Sequence, residues 1–179
     1  MKPSKFITKS GKEITIRIAD VQDAANLLAM KLNYLEDSKT IPLFLKEYPD
    51  DIKIETQLVK RLLEEKNSVL FVAESNGELV GNIDFNGNQR LKLFHTGVIG
   101  MGIREEWRGK GVGSALMQAL INWSKKNPFI SLIWLEVYDT NEGGKALYRK
   151  MGFKECGRME NFFHQDEKNI DKITMVRHL

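Results

Sequence analysis

Residues 105–120 read EEWRGKGVGSALMQAL and place three glycines within five positions, directly before an apolar run. Apolar residues at positions 112, 115, 116, 119 and 120 form one stripe, which predicts an amphipathic helix that begins at the glycines. The N–H groups at the start of a helix are unpaired and carry partial positive charge. Glycines let phosphate oxygens reach such groups without meeting a Cβ. The stretch therefore predicts either an anion-binding turn or a tight strand–helix connection that tolerates glycine.

Two familiar phosphate-binding motifs do not fit the spacing of these glycines. Each Gly-Lys pair, at positions 11–12, 109–110 and 144–145, lacks the glycine five positions upstream that a P-loop needs. A dinucleotide-binding G-x-G-x-x-G motif also fails, because Ser114 and Leu116 stand where its third glycine is required. The pattern that remains is Arg108-x-x-Gly111-x-Gly113, between a predicted strand and a predicted helix.

The rest of the chain predicts a mixed α/β sheet with the element order β-α-α-β-β-β-α-β-α-β-β. Asp20 and Asp23 have the spacing of a helix-capping pair. Asn76-Gly77 joins two apolar runs as a hairpin turn, and Gly152 is placed to end a short helix. An irregular segment over residues 37–50 follows the first helix. Strands are predicted over residues 13–18, 69–74, 78–85, 96–103, 130–138, 153–163 and 170–177, and helices over 20–35, from 54 to about 66, 112–126 and 141–151.

Composition restricts the class of protein. The chain has 179 residues, 42% hydrophobic and 28% charged, which predicts one soluble globular domain over residues 1–179. The net charge of +3 is too small to predict nucleic-acid binding, and no apolar run has the length of a signal peptide or a membrane span. A lone cysteine, Cys156, predicts a reducing, cytoplasmic location without internal disulfides. No metal is predicted, because His164 and His178 lack ligand spacing. A solvated, flexible segment is predicted for the N-terminal lysines, which are Lys2, Lys5, Lys9 and Lys12.

Two further stretches support ligand binding beside the glycine turn. The predicted strand VIGMGI, residues 98–103, contains Gly100 and Gly102, and glycine inside a strand indicates a bulge or the close approach of a ligand or of other backbone. Residues 141–153 read NEGGKALYRKMGF. With the Arg-x-x-Gly-x-Gly turn some 30 residues earlier, this second motif resembles the GNAT superfamily of acetyl-coenzyme A-dependent N-acetyltransferases. The matching residues of the two motifs are Arg108, Gly111, Gly113, Asn141, Gly144, Leu147, Tyr148, Gly152 and Phe153. The resemblance is close over about residues 68–156, and the element order extends it to the whole chain.

The resemblance implies a single-domain, mostly antiparallel sheet flanked by helices, with a splayed central crevice for coenzyme A. The pantetheine arm of acetyl-CoA would pair with Met101, Gly102 and Ile103. Asn141 would contact the same arm, and Tyr148 would face the sulfur. The pyrophosphate would lie on the turn that consists of Arg108, Gly109, Lys110, Gly111, Val112, Gly113 and Ser114.

Catalytic residues follow from the same resemblance and from side-chain chemistry. A tyrosine phenol, with an ordinary pKa of about 10, can protonate or hydrogen-bond a thiolate whose acid has a pKa near 8.5. Tyr148 is thus the candidate general acid, with core packing as the structural alternative. Many relatives carry a glutamate near the start of the central strand, where this chain has Gly97-Val98. His95 and Asp84 are the candidate general bases for the amine proton. The alternative interpretation of each is a solvated residue of a strand.

The predicted function is transfer of an acetyl group from acetyl-CoA to a primary amine of a small molecule or a peptide. Direct attack in a ternary complex is expected, since no activated Ser or Cys is evident. The alternative is a coenzyme A-binding sensor without turnover. No nucleic acid or membrane partner is expected, and a homodimer is compatible with the sequence. A free amino acid, a peptide N-terminus, a polyamine and an aminoglycoside all remain open as acceptors.

Overall fold

The computed structural model describes residues 2–36 and 38–179; Met1 and Asp37, the first residue of the predicted irregular segment, lie outside it. In the described residues, eight strands form one sheet in the order β1-β2-β3-β4-β5-β6-β8-β7. Neighbouring strands are antiparallel except for β5 and β6, which are parallel. The strands are β1 Ser4–Ile7, β2 Glu13–Ile18, β3 Val69–Ser75, β4 Glu78–Gly87, β5 Thr96–Ile103, β6 Leu132–Tyr138, β7 Lys154–Gln165 and β8 Lys168–His178. The helices are α1 Ala24–Glu36, α2 Ile52–Glu64, α3 Val112–Lys126 and α4 Glu142–Lys150. The mixed, mostly antiparallel α/β fold is therefore confirmed.

Local signals in the sequence account for several element ends. The Asp20 carboxylate accepts from the Gln22 N–H at 2.9 Å, and the Asp23 carboxylate accepts from the Asp20 N–H at 2.7 Å, as in a capping box. Asn76 and Gly77 both have positive φ, 50° and 82°, which matches a tight hairpin between β3 and β4. These short-range predictions hold because each depends on hydrogen bonds within a few residues.

The N-terminal segment forms a hairpin, so the prediction of a flexible segment was wrong, although its lysines are exposed to solvent as predicted. β1 pairs with β2 along its four residues, and the Lys5 ammonium lies 2.8 Å from the Glu13 carboxylate. Phe6 packs against the main core. A four-residue strand with one inward apolar residue is too short to produce a clear periodic pattern, which is why it escaped the sequence analysis.

Helices cover both faces of the sheet and define two buried clusters. α3 packs on one face, where Phe71, Phe85 and Leu116 are fully buried. α1 and α2 pack on the other face, where Leu27, Met30 and Val59 are fully buried. Successive residues of β5 face opposite sides of the sheet, so the strand contacts groups on the α3 side and groups on the α1 side. None of the described helices has the length and hydropathy needed to span a membrane.

Candidate active site

The two parallel strands separate in the middle of the sheet. β5 and β6 pair only through residues 96–98 and 132–134, although β5 continues to Ile103 and β6 to Tyr138. Beyond this point the two strands diverge, and a cavity of about 620 Å³ is lined on one side by Met101, Gly102 and Ile103. The edge of β5 thus offers backbone N–H and C=O groups to an extended ligand.

The glycine turn closes one end of this crevice. Gly111 has a φ of +96° and precedes α3 without a side-chain cap. The first helical hydrogen bond joins the Ala115 N–H to the Gly111 carbonyl at 3.1 Å. Within residues 2–36 and 38–179, the N–H groups of Val112, Gly113 and Ser114 donate to no protein acceptor. A Cβ on Gly111 would meet no atom within 4 Å, so open space lies beside the turn, as a bound phosphate requires.

Most residues predicted to bind the cofactor line the crevice. Val112 and Lys110 are the exceptions. Val112 is buried in the core, and Lys110 lines a neighbouring cavity under the N-terminal hairpin; each keeps its backbone in the turn. The Arg108 Nε donates to the Ile103 carbonyl at 3.1 Å, which ties the turn to the end of β5. The predicted residues that line the crevice are Met101, Gly102, Ile103, Arg108, Gly109, Gly111, Gly113, Ser114, Asn141 and Tyr148.

The glycines inside β5 make room for protein side chains. A Cβ on Gly102 would lie 2.1 Å from the ring of Tyr34, and a Cβ on Gly100 would lie 3.0 Å from Oδ1 of Asp84. The Tyr34 hydroxyl donates to Asn82 at 3.2 Å. The sequence indicated a bulge or an approaching ligand or backbone at these glycines. In the direction of a Cβ, side chains of α1 and β4 fill the space, while Gly102 also lines the crevice.

Asn141 begins α4 and borders the crevice. Its Oδ1 accepts from the Gly144 N–H at 2.8 Å, which caps the helix. The Nδ2 group is the part of this amide left to donate to a ligand. Gly144 is required here, because a Cβ on it would lie 2.7 Å from Nδ2 of Asn141.

Tyr148 lies on α4 and lines the crevice on the α3 side of the sheet. Its ring packs edge-on against Phe153, with the ring centroids 6.1 Å apart. Burial raises the pKa of Tyr148 to about 12, so the phenol stays protonated at neutral pH. At that pKa it is a weaker acid than a thiol, which favours donating a hydrogen bond to a developing thiolate.

Asp84 lies on β4, on the opposite face, where it pairs with Gly100 of β5. Asn86 donates a short hydrogen bond to the Asp84 carboxylate. Burial raises the pKa of Asp84 to about 6, while the positive charge of Lys31 opposes the shift. Lys31 itself is paired with buried Glu55 at 2.9 Å. A carboxyl group with this pKa can accept a proton near neutral pH.

His95 lies outside the crevice. It precedes β5, at the opposite end of that strand from Ile103, and its side chain is exposed. Its carbonyl accepts from the N–H groups of Ser131 and Leu132, at 3.0 and 3.2 Å. The structure therefore places His95 in the connection to β6 and not beside the predicted acetyl site.

Sequence reasoning missed a second carboxylate, Glu136. Continuing the register of β5 and β6 from Val98 and Trp134 would bring Glu136 level with Gly100, on the same face as Asp84. Its carboxylate lies 2.7 Å from the Lys172 ammonium. A lone acidic residue in the apolar run IWLEVY was the available signal.

The parallel split, the glycine turn and the α4 tyrosine together form a crevice in an α/β protein that has room and free N–H groups for a phosphate-bearing ligand. Residues 32–153 match the model of the acetyltransferase (GNAT) family. The N-alpha-acetyltransferase of Sulfurisphaera tokodaii is 31% identical over 167 residues, which cover 89% of this chain and 91% of that protein. A GNAT acetyltransferase structure from Streptococcus pneumoniae has a TM-score of 0.90 at 23% identity and covers 93% of this chain and 99% of that one. The yncA structure from Salmonella typhimurium, solved with its cofactor acetyl-CoA, has a TM-score of 0.82 at 18% identity over 93% and 94% of the two chains.

The chain belongs to the GNAT acetyltransferase family. It is an N-acetyltransferase. Among the described residues, no group of three or more His, Cys, Asp or Glu side chains is arranged to hold a metal ion.

Proposed function

We propose that this enzyme acetylates the α-amine of a peptide N-terminus by direct attack in a ternary complex. The observation that carries the proposal is the crevice between β5 and β6. Tyr148 lines it on the α3 side, and Asp84 lies on the other face of the sheet beside Gly100, outside the lining of that cavity. An acetyl group held between them would present its carbonyl carbon to the α1 face. Its sulfur would lie toward the α3 face.

The proposed step uses these two groups in complementary roles. The amine nitrogen attacks the acetyl carbonyl carbon, and the carbon–sulfur bond breaks to release the coenzyme A thiolate. The amine proton passes to Asp84, directly or through a water molecule, and Tyr148 donates a hydrogen bond or its proton to the thiolate. The lone cysteine does not suit an acyl-enzyme route, since exposed Cys156 lies on β7 with its Sγ 3.5 Å from the Thr174 carbonyl.

Charge on the α1 face supports a peptide acceptor over a free amino acid. In the part of the chain that the structure describes, Asp84 has no ion-pair partner. The cations whose charge acts on Asp84 are already paired: Lys31 with Glu55 at 2.9 Å, and Arg61 with Glu65 at 3.3 Å. A free amino acid would bring its own carboxylate beside Asp84, whereas a peptide replaces that carboxylate with a neutral amide. The Sulfurisphaera relative is an N-alpha-acetyltransferase, which points the same way.

The test compares free alanine, alanine amide and an alanine-initiated tetrapeptide in a thiol-release assay. We expect the amide and the peptide to exceed free alanine in kcat/KM by about 100-fold, because like charges brought together cost a few kcal/mol. Equal values for the three would remove the charge argument, and turnover of free alanine alone would overturn the acceptor class. Intact-mass measurement after incubation with acetyl-CoA alone should show no acetylated enzyme; a stoichiometric acetyl adduct would overturn direct attack.

Location and assembly remain proposals. A cytoplasmic enzyme fits the exposed thiol of Cys156, which would be exposed to oxidation elsewhere. A homodimer stays compatible with the long edge strand β7, where Met159 and Phe162 are about half exposed. Neither feature bears on the chemistry of the crevice.

A further inference from the structure

We propose that Lys9, in the turn between β1 and β2, binds a phosphate group of acetyl-CoA. The inference rests on the proposed use of the glycine turn, and it adds a ligand from a part of the chain that neither motif includes. Lys9 lines the same crevice as Arg108, Gly111 and Lys150.

The hairpin is fixed to the glycine turn through the backbone. The Lys9 N–H donates to the Lys110 carbonyl at 3.0 Å. The carbonyl and the following N–H of a trans peptide unit point in opposite directions. The Gly111 N–H is therefore turned away from the hairpin, while the Lys9 side chain begins directly beside the turn. One hydrogen bond thus positions a cation next to the proposed phosphate site.

The turn that carries Lys9 is itself well determined. Buried Thr8 makes three hydrogen bonds to Lys12. Its N–H donates to the Lys12 carbonyl at 2.8 Å, and its hydroxyl donates to the same carbonyl and accepts from the Lys12 N–H, both at 3.0 Å. Gly11 has a φ of +79° and donates its N–H to the Thr8 carbonyl at 2.9 Å. Little conformational freedom of the backbone remains to be lost when a ligand binds, so the backbone that carries Lys9 is preorganised.

Lys9 differs from the other lysines of the hairpin in having a free ammonium group. Lys5 is paired with Glu13 at 2.8 Å, and the Lys12 ammonium lies 5.0 Å from the centre of the Trp107 ring. Within the described residues, no hydrogen bond or ion pair uses the Lys9 side chain.

The charges around the crevice mouth favour an anion with more than one phosphate group. The cations that line the crevice are Lys9, Arg108 and Lys150, and the acidic residues nearest in sequence to the glycine turn are exposed Glu105 and Glu106. Coenzyme A carries a pyrophosphate and a 3′-phosphate, and either one offers oxygens to an ammonium group. The shared chemistry is a charge-assisted hydrogen bond from Lys9 to phosphate.

The test measures the Kd of acetyl-CoA and of acetyl-3′-dephospho-CoA by calorimetry, for wild type, Lys9→Ala, Lys9→Arg and the control Lys5→Ala. Lys5→Ala removes the same charge from the same hairpin but outside the crevice. Lys9→Ala keeps the backbone N–H that bonds Lys110, so its thermal midpoint should match wild type. We expect Lys9→Ala to weaken acetyl-CoA binding about five- to twentyfold, Lys9→Arg to retain most of the affinity, and Lys5→Ala to change it less than twofold.

The two cofactors distinguish the phosphate groups. If Lys9 binds the 3′-phosphate, Lys9→Ala should lose no affinity for the dephospho cofactor. If Lys9 binds the pyrophosphate, the loss of affinity should be equal with both cofactors. Either result supports the proposal. A loss in Lys9→Ala no larger than in Lys5→Ala overturns it. Failure of wild type to bind acetyl-CoA would instead contradict the cofactor site as a whole, so the two failures are distinguishable.

Discussion

Replacing Asp84 by Asn tests the catalytic proposal because stability and activity should change in opposite directions. Burial raises the pKa of this carboxyl from 3.8 to about 6. A shift of two pKa units, at about 1.4 kcal/mol each, means that the ionised carboxylate lowers the free energy of unfolding by at most about 3 kcal/mol above pH 7. Because Asp84 is part-exposed, we expect Asp84→Asn to raise the free energy of unfolding by about 1 to 3 kcal/mol at pH 8.

The sign of the pH dependence follows from the raised pKa. The folded protein holds this proton more tightly than the unfolded chain does. The difference in free energy of unfolding between Asp84→Asn and wild type is therefore absent below pH 4 and grows as the pH rises toward 7. Urea unfolding of both proteins at pH 4, 6 and 8 measures this difference. The activity should move the other way, falling about 10²- to 10⁴-fold with loss of a general base.

The pH profile separates a base from a residue that only supports the fold. Wild-type kcat/KM should rise through pH 6 as Asp84 ionises, with a second limb near pH 8 from the α-amine of the acceptor. The lower limb should be absent in Asp84→Asn. Glu136→Gln is the matched control across the crevice, and it should lower stability because it leaves Lys172 without its partner. The reasoning is refuted if Asp84→Asn is less stable than wild type at pH 8 or retains full activity. Loss of activity in Glu136→Gln alone would move the base to β6.

Two further substitutions test the remaining parts of the site. Tyr148→Phe removes only the hydroxyl, so acetyl-CoA affinity and the thermal midpoint should hold while the single-turnover rate falls about 10²- to 10⁴-fold; a wild-type rate would leave Tyr148 as a packing residue. Gly111→Ala should weaken acetyl-CoA binding at least about tenfold and cost about 1 kcal/mol of stability, because φ is +96° there and the new Cβ enters the open space beside the turn. Unchanged affinity in a folded Gly111→Ala enzyme, measured by calorimetry, would remove the turn from phosphate binding. Gly111 is a cleaner test than Gly113, because a Cβ on Gly113 would lie only 3.2 Å from Ile103 and Leu147 and would disturb the packing itself.

The sequence alone determined the elements and their order apart from β1. The Asp20–Asp23 cap, the Asn76-Gly77 hairpin and the stripe of α3 are local patterns, and hydrogen bonds within a few residues enforce each of them. The two motifs around the glycine turn and α4 were also sufficient to indicate the family.

Only the tertiary structure decided which side chains meet at the crevice. The pairing of β5 with β6 stops after Val98, and the hydrophobic pattern of the sequence does not show where it stops. Asp84 gains its raised pKa from burial under α1, and Gly102 is required by Tyr34, from a helix more than 60 residues earlier. Lys9 reaches the glycine turn through one backbone hydrogen bond across 101 positions. Local periodicity encodes which face of an element is buried, whereas burial, charge and contact between distant elements arise only when those faces pack together.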